Sequence, residues 1–262
     1  MKHFKSLLSV VVFALALTFT SCINGDGNNG PQQWAGVVRA SYSGSFKDAN
    51  GLELVPNKLT LLNSDMAYIY CTIDEGQQIT ENTKSLKISL LTDPEEIDAT
   101  LDVLSEDETD HYISNAPVMT LEITGGYSKL SPYFFDKNTL ILPIGYRAEN
   151  VSGDKVSVEL KKHTFVLVAL ESEMKADDSV LKLHLRHMIN DGDEKIDRNA
   201  TDIRHKAYNI NRALTTFMRV TGKNNPSKIE IVTKESMSSD KLDDSSVKDG
   251  SYEIDYTKVV GK

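Results

Sequence analysis

The chain has 262 residues, 40% of them apolar and 26% charged, with 29 Lys and Arg against 38 Asp and Glu. This composition is globular and excludes collagen, a disordered chain and a low-complexity stalk. No apolar run reaches the roughly 20 residues of a membrane-spanning helix, and a formal charge of −9 argues against nucleic acid as a partner.

Lys2 and Lys5 precede an apolar stretch from Leu7 to Phe19, which closes on Thr20-Ser21-Cys22 and gives way to a Gly- and Asn-rich segment. A basic start and a short apolar core read as a signal peptide over residues 1–21 and not as a span. Phe19-Thr20-Ser21-Cys22 resembles a bacterial lipobox, which makes Cys22 the lipidation site and the first residue of the mature chain. Each buried methylene contributes about 0.8 kcal/mol, so two or three acyl chains hold a protein on its membrane. Residues 22–33 then form a flexible tether. Loss of residues 1–21 removes two Lys and no acid, moving the charge from −9 to −11, which also disfavours flat adsorption on anionic lipid.

From Trp34 the pattern has period two. Val38, Ala40 and Tyr42 alternate with polar residues, and 58–62, 67–73 and 86–90 follow as strands. Asp48-Ala-Asn-Gly51, Asn63-Ser-Asp65 and Asp74-Glu-Gly76 are turn formers. These short strands predict a small β-barrel over 34–104. Cys71 shares one strand face with Ala67, Ile69 and Ile73, which makes it a packing residue and leaves the exported chain without an internal disulfide. Asp93-Pro-Glu-Glu96 with Ile97, Leu101 and Leu104 reads as the start of one short helix. Ile88 to Ser128 holds ten acids and no Lys or Arg, and residues 105–117 are read as an acidic linker.

Residues 118–262 are again β. Strands are expected at 119–123, 139–144, 156–160, 163–170, 181–189, 208–210, 217–220, 229–232 and 252–256, with 165–170 apolar on both faces as in a central strand. The fold class is therefore mainly β, a small barrel followed by an antiparallel β-sandwich.

Few residues present chemistry. His184 and His187 stand three apart, but in a strand that alternates at Leu181, Leu183 and Leu185 the two rings face opposite ways, so a shared metal is not expected. His187 is placed at the end of the buried face, bonded to a backbone carbonyl, with His184 exposed. Asn190-Asp-Gly-Asp-Glu194 lacks the glycine position and distal Glu of a calcium loop and reads as a hairpin turn. Nucleophile-elbow, phosphate-loop, His-Glu-x-x-His and Cys-x-x-Cys motifs are absent, so no catalytic, metal or cofactor residue is assigned. Tyr68 and Tyr70, on the face opposite Cys71, are the candidate ligand-binding pair: a barrel of the oligonucleotide/oligosaccharide-binding (OB) type stacks flat ligands on such rings, and the acidic charge favours a sugar or peptide.

Gly125-Gly-Tyr-Ser-Lys-Leu130, Lys162-His-Thr-Phe-Val-Leu-Val168, Leu183-His-Leu-Arg-His187 and Asn115-Ala-Pro-Val118 together resemble the NigD-like lipoproteins of Gram-negative bacteria, as does the lipobox. The resemblance implies an OB-like barrel followed by a β-sandwich, and a role in bacteriocin immunity or related envelope protection. The expected protein is a non-enzymatic envelope lipoprotein of the outer membrane, held through Cys22, with a protein or glycan partner. A glycan-binding accessory and a hydrolase built on two convergent carboxylates are the alternatives.

Overall fold

The computed structural model describes residues 32–77, 80, 82–98, 100–108, 111–125, 128–191 and 196–261. The signal peptide, Cys22 and the tether up to residue 31 lie outside the described residues. So do Gly126, Tyr127 and residues 192–195. The chain forms two compact units: Thr100–Ile123 with Leu130–Lys262 make the second, and the residues before Thr100 with Thr124–Lys129 make the first.

The first unit is a closed five-stranded barrel. β1 (Gln33–Ala40) pairs antiparallel with β2 (Phe46–Lys47), β2 with β3 (Glu53–Pro56), β3 runs parallel to β5 (Ser85–Leu90), and β4 (Met66–Ile73) pairs antiparallel with both β5 and β1. The order β1-β2-β3-β5-β4 returning to β1 is the OB arrangement expected from the resemblance. Alternation turns Val38, Ala67, Ile69, Cys71, Leu86 and Ile88 into one core, with Trp34 packed against it. The Asp48–Gly51 turn forms as read: the Asp48 carboxylate accepts from the Asn50 and Leu52 amides at 2.8 Å each, and Gly51 takes φ 80°, where a side chain would strain the backbone.

Cys71 is fully buried, and burial, with the charge of Asp74, pushes its thiol up to about 12. A thiol so seldom ionised is a packing group. Iodoacetamide at pH 8 is expected to leave Cys71 untouched in the native protein and to alkylate it in urea; labelling of the native state would contradict that placement.

The second unit is a two-sheet sandwich. One sheet runs β11 (Tyr133–Phe134), β12 (Thr139–Ala148), β15 (Ala200–Asn209), β7 (Leu101–Asp102). The other runs β17 (Lys248–Asp255), β16 (Lys228–Glu235), β14 (Val180–Ile189), β13 (His163–Ala169), β8 (Leu104–Ser105). Leu140, Leu142, Ile144 and Tyr146 from the first meet Phe165, Leu167, Leu183 and Ile231 from the second in a single core. The pairing is mixed, since β7 on β15, β8 on β13 and β14 on β16 are parallel; this corrects the antiparallel expectation. Among the described residues three α-helices complete the unit, α1 (Asp154–Lys162), α2 (Asn211–Thr221) and the short α3 (Thr257–Val260), and Ala213 and Phe217 of α2 are buried in the same core.

Four local readings are corrected. Residues 93–98 and 100–104 are not helical: they give β6 (Glu95–Ile97), which adds to the Met66–Tyr68 part of β4, and then β7 and β8, because open strand edges offer backbone partners that a short helix lacks. Residues 105–117 are bonded into the second unit and do not link free modules: Ser105 belongs to β8, Glu106 accepts from Ser172, Glu108 from Arg212, and Asn115 exchanges bonds with Ile189. The domain change comes earlier, at Thr100. Residues 156–160 and 217–220 lie in α1 and α2 and not in strands.

Candidate functional site

Helix α1 runs directly into β13, so Glu159 stands one turn before His163 and both point into the unit. In the β13–β14 ladder Phe165 lies opposite His187, and their rings stack at 4.5 Å between centroids. His187 sits where the sequence places it, at the inner end of β14, donating from Nδ1 to the Pro117 carbonyl at 2.9 Å. His184 lies on the other face, 2.9 Å from Glu173.

Sequence reading missed the next links. His187 Nε2 is 2.9 Å from His163 Nδ1, and His163 Nε2 is 3.1 Å from Glu159 Oε1. The same carboxylate oxygen accepts from the Glu149 amide at 3.0 Å and from Arg198 Nε at 2.9 Å. Arg198 reaches on to Asp191 through both terminal nitrogens. Asp191, Lys162 and Asp240, at the outer end, are partly exposed.

Counting donors fixes the protons. The three gaps from Pro117 to Glu159 need one proton each, two neutral imidazoles supply two, and the third is held between His163 Nε2 and Glu159. Burial of the His163 ring opposes its charge, and Glu159 favours it. Burial likewise pushes the Glu159 carboxyl up, but bonds from Glu149, His163 and Arg198 outweigh it and hold the group at about 2. Burial drives His187 down to about 3.

Three segments that carried the resemblance meet here. The Ser114 hydroxyl donates to the His187 carbonyl at 3.0 Å, Asn115 brackets Ile189, and the Pro117 carbonyl accepts from the His187 ring, which ties 114–117 to β14 and, through His187, to His163 of β13. His163 and His187 thus build an interior clasp, with His184 outside it.

A surface feature suited to a ligand lies elsewhere in the second unit. A cleft of about 610 Å³ opens between β8, the 3₁₀ turn at 171–173 and α2. Its floor is Val103, Ala169 and Ala213, small buried side chains that leave a hollow. Its walls carry Ser105, Glu106, Asp107, Glu171, Thr216 and Arg212. These walls are fixed: Glu106 accepts from the Ser172 amide at 2.9 Å and hydroxyl at 2.7 Å, Arg212 donates to Glu108 at 2.7 and 2.9 Å, and Arg219 to Glu171 at 2.5 Å. The Arg212 and Ser105 donors hold the Glu108 carboxyl at about 2.

Tyr68 and Tyr70 do lie on the strand face opposite Ile69 and Cys71. Tyr70 is half exposed, and its hydroxyl donates to Gln33 at 2.5 Å. Among the described residues no three His, Cys, Asp or Glu side chains gather as metal ligands.

No family model and no curated protein matches the chain. Among solved structures, the chain is similar to the "putative lipoprotein" of Bacteroides fragilis at 39% identity and TM-score 0.74, covering 86% of this chain and 98% of that one. A protein of unknown function from Bacteroides vulgatus shares the fold at 12% identity and TM-score 0.53, over 86% and 91% of the two chains. A NigD-like immunity protein from Bacteroides caccae aligns over 87% and 99% at 10% identity and TM-score 0.48.

Proposed function

The chain belongs to one family with the Bacteroides fragilis lipoprotein, and from that premise we propose an envelope lipoprotein, anchored at the outer membrane through Cys22, that binds a partner molecule and catalyses no reaction. The relationship to that lipoprotein, over nearly the whole of its length, carries this reading. The lipobox at Phe19–Cys22 supports the anchor. Two of the motif histidines, His163 and His187, support a binding role over catalysis: they are buried and bonded to each other, to Pro117 and to Glu159, with no access for a substrate. Envelope protection, including bacteriocin immunity, is the form of binding that the motif resemblance favours.

Growth with radiolabelled fatty acid is expected to label the protein, and Cys22→Ala to abolish both the label and its sedimentation with envelopes. A Cys22→Ala protein that still sediments overturns the anchor. Crosslinking in intact cells followed by affinity capture is expected to yield one stoichiometric partner; recovery of the bare protein from cells carrying the native anchor overturns the binding role.

A further inference from the structure

We infer that the cleft between β8 and α2 is a docking site for an extended peptide segment that presents a Lys or Arg beside a small apolar side chain. This deepens the binding role proposed above and rests on it. The volume, about 610 Å³, lies within the few hundred to about 1,000 Å³ of functional ligand sites. The floor of Val103, Ala169 and Ala213, flanked by Met174 and Val220, gives apolar area to cover. The charge of the lining selects the occupant: Arg219 pairs with Glu171 and Arg212 is turned to Glu108 and Ser105, so Glu106 and Asp107 give the rim its net negative charge. A cationic side chain gains from that excess of carboxylates, and an acidic one is repelled.

A peptide fits better than a free amine because the apolar floor and the carboxylate rim come from separate elements, so an occupant covers both only by presenting two kinds of side chain at once. The β8 edge itself is taken, with the Ser105 amide donating to Glu108 and the Val103 amide to the Asn209 carbonyl, so an extended chain would lie across the cleft and place alternate side chains on floor and rim. The fixed walls also lower the ordering cost of binding, since the Glu106–Ser172 and Glu108–Arg212 bonds already hold the carboxylates in place.

The test uses the purified full-length protein and three probes: acetyl-Ala-Leu-Lys-Ala-Arg-amide, the same peptide with Glu for Lys and Arg, and butylamine. Calorimetry is expected to give saturable binding of the basic peptide, with at least about tenfold weaker binding of the other two. Glu106→Gln with Asp107→Asn should weaken the basic peptide by about tenfold; Asp107 is exposed, and Gln keeps the acceptor that Ser172 uses. Thr216→Phe, which fills the cleft from α2, should abolish binding at an unchanged melting temperature. Equal binding of the acidic peptide, equal binding of butylamine, or undiminished binding to folded Thr216→Phe each overturns the inference. A partner captured from cells equally well by Thr216→Phe also overturns it and leaves the general binding role standing.

Discussion

An Arg198→Ala protein is expected to unfold in urea with about 3–5 kcal/mol less stability than the parent. The guanidinium and the Glu159 carboxylate are each nearly inaccessible, with side-chain exposures of 2% and 3%. Taking Arg198 away leaves a carboxylate inside the sandwich with the Glu149 amide, His163 and a Lys162 ammonium 3.6 Å away, too little to replace the charge-assisted bond from Arg198 Nε. Asp191 loses its partner at the same time. The double variant Glu159→Leu, Arg198→Met separates the value of the pair from the penalty of breaking it. Because both charges leave together, its loss should be well short of the sum of the two single losses. An Arg198→Ala loss under about 1 kcal/mol, read by far-ultraviolet circular dichroism, would show that water reaches Glu159 and that the network is not dry.

Much of the architecture was legible because it rests on period-two alternation: Ala67, Ile69, Cys71 and Ile73 in β4, and Leu181, Leu183 and Leu185 in β14, all point where the pattern sends them. Alternation misled at Val156, Val158 and Leu160. There the two valines are exposed, and the buried residue is the charged Glu159, which no hydrophobic count would select. For α2 the signal was present and outweighed by the short apolar run at 217–220. Ala213, Phe217 and Thr221 recur every fourth residue, and Gly222 follows in the left-handed conformation that ends a helix. The opposite error at 93–104 has a tertiary cause, because helix spacing was overridden by strand edges that only the folded sheets supply.

The interior clasp was half visible for the same reasons. The carbonyl bond of His187 follows from its place in a strand. The His163–Glu159 bond follows only once 154–162 is seen as a helix, since i,i+4 neighbours meet on a helix and not along a strand. Arg198 joins Glu159 across 39 positions, a separation on which local pattern is silent. The cleft has no linear signature: its floor comes from single residues at 103, 169 and 213 on three elements. Glu106, Asp107 and Glu108 were read as part of an acidic linker because nothing local shows that Arg212 and Ser172 fold onto Glu108 and Glu106.

Acid is expected to unfold the protein well before its carboxylates neutralise in bulk, and the histidines set the window. Burial holds His187 at about 3 and His205 at about 4, against 6.5 when exposed. Between 6.5 and those values the unfolded chain binds more protons than the native one, so stability falls as pH falls. Each histidine contributes a slope of about 1.4 kcal/mol per pH unit once its unfolded form is charged. Glu159 extends the loss below the ordinary carboxyl value of 4.5, where the unfolded carboxylate protonates and the native one, at about 2, does not. Glu235 works in the opposite sense: burial raises its carboxyl, so the native state takes up that proton first and gains slightly on acidification. Urea unfolding from pH 7 to 4.5 should therefore show stability dropping with a limiting slope near two protons. His187→Gln, though less stable at pH 7, should lose about one proton of that slope. A flat profile, or one with the same steepness in the variant, would mean that His187 titrates in the native state and that the clasp opens to solvent.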